Sequence, residues 1–163
     1  MAKRYPQYDF IWFGSTPSAL IPAKIRKAVR TQLPNLQFPG FVSKEELMDA
    51  YSGSDLFFFP TLEETEGIVM LEAMAMETPV LTRYIPVYEG WLEHGRTVYK
   101  GRGQEDFARL LPDILEGRLP RLTEEAYRLV QENSITKIGN ALAGIYDSLL
   151  AEDKAESKNL QLL

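Results

Sequence analysis

The chain has 163 residues, of which 45% are hydrophobic and 25% are charged, so it has the length and apolar content of one globular domain. Its 18 basic and 23 acidic side chains give a net charge of -5, which argues against a broad nucleic-acid surface. No cysteine is present, which excludes disulfides and thiolate metal ligands, and no apolar run approaches the roughly 20 residues of a membrane span. The amino terminus has no signal-peptide pattern, so we expect cytoplasmic residence and no nucleic-acid partner.

The first hundred residues alternate short apolar runs with helical patterns. Predicted strands cover residues 9–13, 36–38, 56–59, 79–82 and 97–100. Predicted helices cover residues 22–32 and 67–76, and a third begins at Ser43, which forms a capping-box pattern with Glu46. This alternation predicts βαβ units and an α/β fold, a Rossmann-like three-layer α/β/α arrangement with a parallel sheet.

Helical patterns dominate the rest of the chain. A helix is predicted over residues 105–116, although Pro112 is expected to kink or interrupt it, and another begins near Thr123. From Ser134 onward apolar residues recur every three or four positions, and we expect this stripe to pack into the core; it comprises Ile135, Ile138, Leu142, Ile145 and Leu149. The predicted domain spans residues 1–152, followed by a polar tail over residues 153–163.

Residues 60–80 place two carboxylates, Glu64 and Glu72, around Gly67 and between two apolar strand-like runs. In open α/β sheets, ligands bind just beyond the carboxyl ends of the strands, where helix N-termini present free N–H groups. Glu64 and Gly67 fall in that zone. The block therefore predicts a ligand site.

The same block carries a resemblance to a known family. Glu64 and Glu72 are separated by seven residues within Pro-Thr-x-x-Glu-x-x-Gly-Ile-Val-x-Leu-Glu-Ala-Met-Ala-x-x-Thr-Pro-Val. This pattern resembles the E-x7-E signature of the family-four retaining glycosyltransferases of GT-B fold, and the likeness covers roughly residues 9–150. Residues 63–69 and 85–92 look most like the Gram-positive glucosyl- and galactosyl-diacylglycerol synthases, which transfer a hexose from a UDP-sugar to a membrane lipid.

The resemblance implies a role for each residue of the block. Glu72 would accept hydrogen bonds from the ribose hydroxyls of a UDP-hexose, and Glu64 would contact the sugar as the catalytic carboxylate. Gly67 and Ile68 would present N–H groups to the diphosphate. No metal or other cofactor is implied.

The resemblance also extends beyond the block. Gly14 matches a loop that borders the nucleotide, and Val42 matches the region that flanks the base. Glu66 and Glu77 depart from the family, because relatives carry phenylalanine and glycine there, and a glutamate is costly where the backbone is left-handed.

The chain looks like one half of a GT-B enzyme, the half that binds the donor. No residue of the chain matches the arginine or the lysine with which the family clamps the donor diphosphate. Nothing in the chain matches the amino-terminal acceptor domain either. We therefore expect the isolated chain to be inactive. The parent enzyme would use a diacylglycerol-type lipid acceptor and would be peripheral to the cytoplasmic membrane.

Ordinary alternatives stay open at the site. Glu72 can be a solvated helix glutamate, Glu64 a helix-start residue favoured by the helix dipole, and Gly67 a turn glycine. For the whole chain, the alternatives are a non-catalytic α/β interaction module and another GT-B enzyme such as a sugar-nucleotide epimerase.

Two further sets of side chains have two interpretations each. Basic residues on the early helix can face anionic lipid or only solvent, and aromatic residues after the fourth strand can meet an acceptor or pack under a loop. The sets are Lys24, Lys27 and Arg30, and Tyr84, Tyr88 and Trp91. The single histidine, His94, is expected at the surface and not in a metal site.

Overall fold

The computed structural model describes residues 1–17 and 19–160, which form an α/β fold. The strands are β1 (Phe10–Phe13), β2 (Leu36–Gly40), β3 (Phe57–Phe59), β4 (Val80–Arg83) and β5 (Tyr99–Gly101). The α-helices are α1 (Ala23–Val29), α2 (Lys44–Ser52), α3 (Ile68–Ala75), α4 (Gln104–Leu115), α5 (Thr123–Glu132) and α6 (Ile135–Leu160), and a 3₁₀ turn covers Pro86–Tyr88. The predicted alternation of strands and helices is confirmed.

The strand pairs are parallel, as the sequence predicts. β1 pairs with β2, starting with Phe10 opposite Leu36. β3, β4 and β5 form a second sheet in that order, in which Leu81 lies opposite Tyr99. Hydrogen bonding thus divides the strands between a two-stranded and a three-stranded parallel sheet.

β4 separates two apolar layers. Val80 belongs to a buried cluster with Met70 of α3, whereas its neighbour Leu81 belongs to a cluster with Phe107 of α4. Successive residues of a strand point to opposite faces, so a helix covers each side of this sheet. The three-layer α/β/α arrangement follows from these two contacts.

Some predicted boundaries were wrong. The strand predicted over residues 97–100 begins at Tyr99, because that residue lies opposite Leu81 of β4, and Val98 forms only an isolated bridge with His94. α1 ends at Val29, short of the predicted residue 32, and has no buried residue.

Pro112 does not interrupt its helix, which corrects part of the prediction. α4 continues through Pro112 to Leu115. A proline removes the N–H that would reach the carbonyl four residues earlier, here that of Ala108. The hydroxyl of Tyr5 donates to that carbonyl and replaces the missing donor.

The apolar stripe on α6 is not in the core, so that prediction was wrong. Ile135 is 93% exposed, and Ile138, Leu142, Ile145 and Leu149 are also exposed. The periodicity makes the helix amphipathic, but its apolar side faces solvent in the described residues. α6 runs through the predicted tail as far as Leu160, and residues 161–163 lie outside the described part.

The amino-terminal sheet is thinly covered. Ile11 and Trp12 are neighbours on β1, so their side chains lie on opposite faces, and both are exposed. The dense apolar clusters lie instead around β3, β4 and β5.

Candidate functional site

The loop from the end of β3 to the start of α3, residues 60–67, is here called the Glu64 loop. The guanidinium of Arg83 on β4 secures the beginning of this loop. Its Nε donates to the carbonyls of Pro60 (3.3 Å) and Thr61 (3.1 Å), and its Nη1 donates to the carbonyl of Arg102 (2.8 Å). The loop is therefore tied to the carboxyl ends of β4 and β5.

Gly67 ends the loop in a left-handed conformation, with φ 79° and ψ 40°, and stands at the N-cap of α3. A Cβ on Gly67 would lie 2.6 Å from Cε of Met70 and 3.2 Å from the hydroxyl oxygen of Tyr88, so glycine is required both for conformation and for space. No side chain caps α3. Because the first N–H groups of a helix have no intrahelical acceptor, the exposed residue Ile68 opens α3 with free donors for an anion.

Glu64 and Glu72 are both half-buried on this loop and helix. Oε1 of Glu64 accepts a hydrogen bond from the N–H of Thr65 at 2.9 Å, so the carboxylate folds back on its own loop. Glu72 is the fifth residue of α3, just over one turn beyond Ile68.

Tyr51 of α2 holds Glu72. Its hydroxyl donates to Oε2 of Glu72 at 3.4 Å, and the ring is buried. Burial, and then the negative charge of Glu72, raise the pKa of Tyr51 to about 12, so the phenol stays a donor at neutral pH. The hydroxyl of Thr78 donates to the carbonyl of Tyr51 at 2.6 Å, which assigns the threonine of the Thr-Pro-Val segment a supporting role.

Gly14 and Val42 lie at the carboxyl ends of β1 and β2. Gly14 has φ 93°, and its N–H donates to the carbonyl of Gly40 at 2.7 Å. Val42 is half-buried and follows the exposed Phe41. The structure thus brings Glu64, Gly67, Ile68 and Glu72 together on one loop and helix, whereas Gly14 and Val42 follow the strands of the two-stranded sheet.

His94 is exposed, as predicted, and its Nδ1 accepts a hydrogen bond from the N–H of Lys100 at 2.8 Å. Partial burial of the ring beneath its neighbours, followed by the positive charges of Lys100 and Arg109, lowers the pKa of His94. Across residues 1–17 and 19–151, whose side chains the structure describes, no cluster of three His, Cys, Asp or Glu side chains is arranged to hold a metal ion.

The early helix carries a basic pocket. It has a volume of about 490 Å³ and is lined by Ala23, Arg26, Lys27, Arg30 and Thr31. None of the predicted donor-site residues lines it. In the described part of the chain, no helix has both the length and the apolar character that crossing a membrane requires.

Sequence patterns alone missed three supporting residues. Tyr51, Arg83 and Thr78 act on the site through partners that lie 19 to 27 positions away. No local spacing signals such contacts, since they arise only when α2, β3 and β4 are packed. The ring of Tyr51 is buried.

Residues 24–136 match the family described as glycosyl transferases group 1, and the chain belongs to that family. It is 39% identical over 150 residues to the processive diacylglycerol alpha-glucosyltransferase of Acholeplasma laidlawii, covering 92% of this chain and 45% of the relative. It is 31% identical over 137 residues to the alpha-galactosylglucosyldiacylglycerol synthase of Streptococcus pneumoniae, covering 82% of this chain and 37% of the relative. The chain thus spans less than half the length of these relatives, and the predicted family resemblance is confirmed.

Solved structures confirm the fold. The Anabaena protein Alr3699/HepE, crystallised in complex with UDP-glucose, matches with a TM-score of 0.69 at 15% identity, over 90% of this chain and 52% of that one. The C-terminal domain of a group 1 glycosyl transferase, LpcC, from Francisella tularensis matches with a TM-score of 0.61 at 21% identity, over 80% of this chain and 71% of that one. The α/β fold with parallel strands is therefore that of a GT-B glycosyltransferase domain.

Proposed function

We propose that this chain is the UDP-hexose-binding half of a retaining glycosyltransferase that transfers glucose or galactose to a diacylglycerol-type lipid. One observation carries the proposal: Glu64, Gly67 and Glu72 lie on one loop and helix, with Glu72 held by a buried tyrosine hydroxyl. The names of the relatives in Acholeplasma and Streptococcus, both of which act in diacylglycerol glycosylation, support the lipid acceptor.

In this proposal each site residue has one role. Glu72 accepts hydrogen bonds from the two ribose hydroxyls, because a carboxylate has two oxygens for a vicinal diol. Glu64 contacts the hexose hydroxyls and orients the anomeric carbon as the catalytic carboxylate. Gly67 and Ile68 present N–H groups to the diphosphate, whose negative charge the start of α3 favours.

Gly14 and Val42 border the nucleotide and the base. The leaving diphosphate is stabilised by helix N-termini and by basic groups contributed from outside this chain, without a metal ion. The partner of the chain is therefore an amino-terminal acceptor domain. Without it, we expect binding of the donor but no turnover.

We also propose that α1 contacts anionic lipid headgroups, which makes the parent enzyme peripheral to the cytoplasmic membrane. The basic pocket supports this, since Arg26, Lys27 and Arg30 line it although the whole chain carries a charge of -5. Sedimentation with anionic vesicles should fall for Lys27→Glu/Arg30→Glu. It should be unchanged for Lys137→Glu, a lysine already paired with Glu132, and equal losses in both variants would contradict the lipid contact.

Calorimetric titration of the chain with UDP, UDP-glucose and UDP-galactose tests the donor site. We expect weak binding, and Glu72→Ala should weaken UDP about tenfold because a hydrogen bond to a charged group is lost. Glu63→Ala, at an exposed glutamate of the same loop, is the matched control and should bind as the parent does. No heat with any of the three ligands would overturn the donor-binding proposal.

A transfer assay with UDP-glucose and diacylglycerol vesicles tests the role of the missing half. The isolated chain should give no glycolipid. Glycolipid formation would contradict the requirement for an acceptor domain and would leave the donor site intact.

A further inference from the structure

Within the described part of the chain, the hydroxyl of Tyr88 is a buried donor without a partner. The side chain is 0% exposed, and its oxygen has no hydrogen-bond partner among the described residues. Leaving a buried polar group unpaired costs about 1–3 kcal/mol, so such a group in a native fold requires an explanation. The sequence allows two roles for Tyr88, contact with an acceptor or packing under a loop.

The hydroxyl points at the Glu64 loop. A Cβ on Gly67 would lie 3.2 Å from both the hydroxyl oxygen and Cε1 of Tyr88, so the phenol lies directly against the last residue of the loop. Burial, and then the charge of the nearby Glu64, raise the pKa of Tyr88 to about 12. The phenol therefore keeps its proton at neutral pH, and a hydrogen bond from it to an acceptor would stabilise the site.

The rest of Tyr88 is fixed in place. Its N–H donates to the carbonyl of Ile85 at 3.1 Å, and the buried Nζ of Lys100 donates to its carbonyl at 3.3 Å. Its ring packs edge-on against Trp91, with the centroids 5.9 Å apart. Because these contacts hold the backbone and the ring, the hydroxyl is preorganised under the loop.

Glu64 has an oxygen available for that donor. Among the described residues, Glu64 accepts hydrogen bonds from the N–H and the hydroxyl of Thr65, and both reach Oε1. The hydroxyl of Thr82, a neighbour of Tyr88 that acts to lower the pKa of the phenol, donates its own proton to the carbonyl of Phe59 at 2.9 Å. In the part of the chain that the structure describes, Oε2 of Glu64 accepts no hydrogen bond, so it is available as the acceptor.

We propose that Tyr88 is a positioning residue of the donor site, whose hydroxyl donates to the Glu64 carboxylate when the hexose of a nucleotide sugar is bound. This inference rests on the proposed function, because it acts through the contact of Glu64 with the sugar. It also explains the glycine at position 67, since any side chain there would displace the phenol.

Tyr88→Phe tests the inference by calorimetric titration of the chain with UDP and with UDP-glucose. UDP affinity should be unchanged, and UDP-glucose affinity should fall about tenfold, the effect of losing a hydrogen bond to a charged group. The melting temperature should not fall, because the deleted hydroxyl has no hydrogen-bond partner among the residues that the structure describes. Tyr84→Phe, at an exposed tyrosine of the same connection, is the control and should bind both ligands as the parent does.

A double-mutant cycle separates positioning from simple packing. In a Glu64→Ala background, Tyr88→Phe should cause little further loss of UDP-glucose affinity, because each change removes the same hydrogen bond. Additive losses, or equal losses for UDP and UDP-glucose, would overturn the role of Tyr88 while leaving the donor site standing. If the parent chain bound neither ligand, the proposed function and this inference would fail together.

Discussion

The hydroxyl of Tyr51 joins α2 to α3 by donating to Oε2 of Glu72 at 3.4 Å. This hydrogen bond connects a buried aromatic residue to the carboxylate that we assign to the ribose. It sets the position of Glu72 before any ligand arrives. The site is therefore supported by the core on its helix side as well as by the Arg83 contacts on its loop side.

Tyr51→Phe should weaken UDP binding about threefold, because the hydrogen bond is long and the carboxylate keeps its own ligand contacts. Calorimetric titration of the variant measures the loss. The control is Tyr146→Phe, at an exposed tyrosine of α6. A tenfold gain in UDP affinity on removing the Tyr51 hydroxyl would contradict a supporting role.

Glu77→Gly should raise the free energy of unfolding by about 1 kcal/mol, because Glu77 has φ 55°, a left-handed conformation that costs other residues more than glycine. The N–H groups of Glu77 and Thr78 donate to the carbonyls of Met74 and Ala73, which identifies the C-terminal motif of α3 that usually ends in glycine. Urea unfolding measures the change. Glu63→Gly, outside the left-handed region, should give no gain, and an equal gain there would contradict the strain at Glu77.

His94 should titrate below its ordinary pKa of 6.5, because burial and the charges of Lys100 and Arg109 disfavour the imidazolium. A single histidine makes its NMR titration unambiguous. Arg109→Gln should move the midpoint upward, towards 6.5. Since the folded pKa is depressed, the stability linked to neutral His94 is present above the unfolded pKa and is lost as the pH falls through the folded pKa. A midpoint above 6.5 would contradict this environment.

Tyr5→Phe should destabilise the chain by about 1 kcal/mol, because it leaves the carbonyl of Ala108 without a donor beside Pro112. Pro112→Ala returns an N–H to the same carbonyl. Thermal unfolding of both single variants and the double variant should therefore show that Tyr5→Phe costs less in the alanine background. Equal costs in the two backgrounds would contradict the idea that the Tyr5 hydroxyl replaces the donor that Pro112 lacks.

Local patterns predicted most of the fold. The capping box is present, with the N–H of Ser43 donating to Glu46 at 2.8 Å and the hydroxyl of Ser43 accepting from the N–H of Glu46 at 3.2 Å. The cost of a glutamate at position 77 was also anticipated, because the family that the chain resembles carries glycine there, as a left-handed helix terminus requires. Both features depend on residues within a few positions of one another.

The sequence could not predict features that depend on distant partners. α4 passes through Pro112 because a tyrosine 103 positions from Ala108 supplies a donor. The α6 stripe has helical periodicity, but periodicity does not say which element, if any, covers it. At the site, the sequence pattern identified the two signature glutamates. The side chains that support them could be identified only from the packed structure.

The two tryptophans differ in burial because the two sheets are unevenly covered. Trp12 is exposed on β1, whereas Trp91 is half-buried against the cluster that contains Tyr88. Few apolar contacts mean a small free energy of local opening, so the amides of β1 exchange with solvent before those of β4. The chain thus carries one fluorophore, Trp12, in the sheet expected to open first and another, Trp91, packed against Tyr88 in the cluster beside the sheet expected to open later.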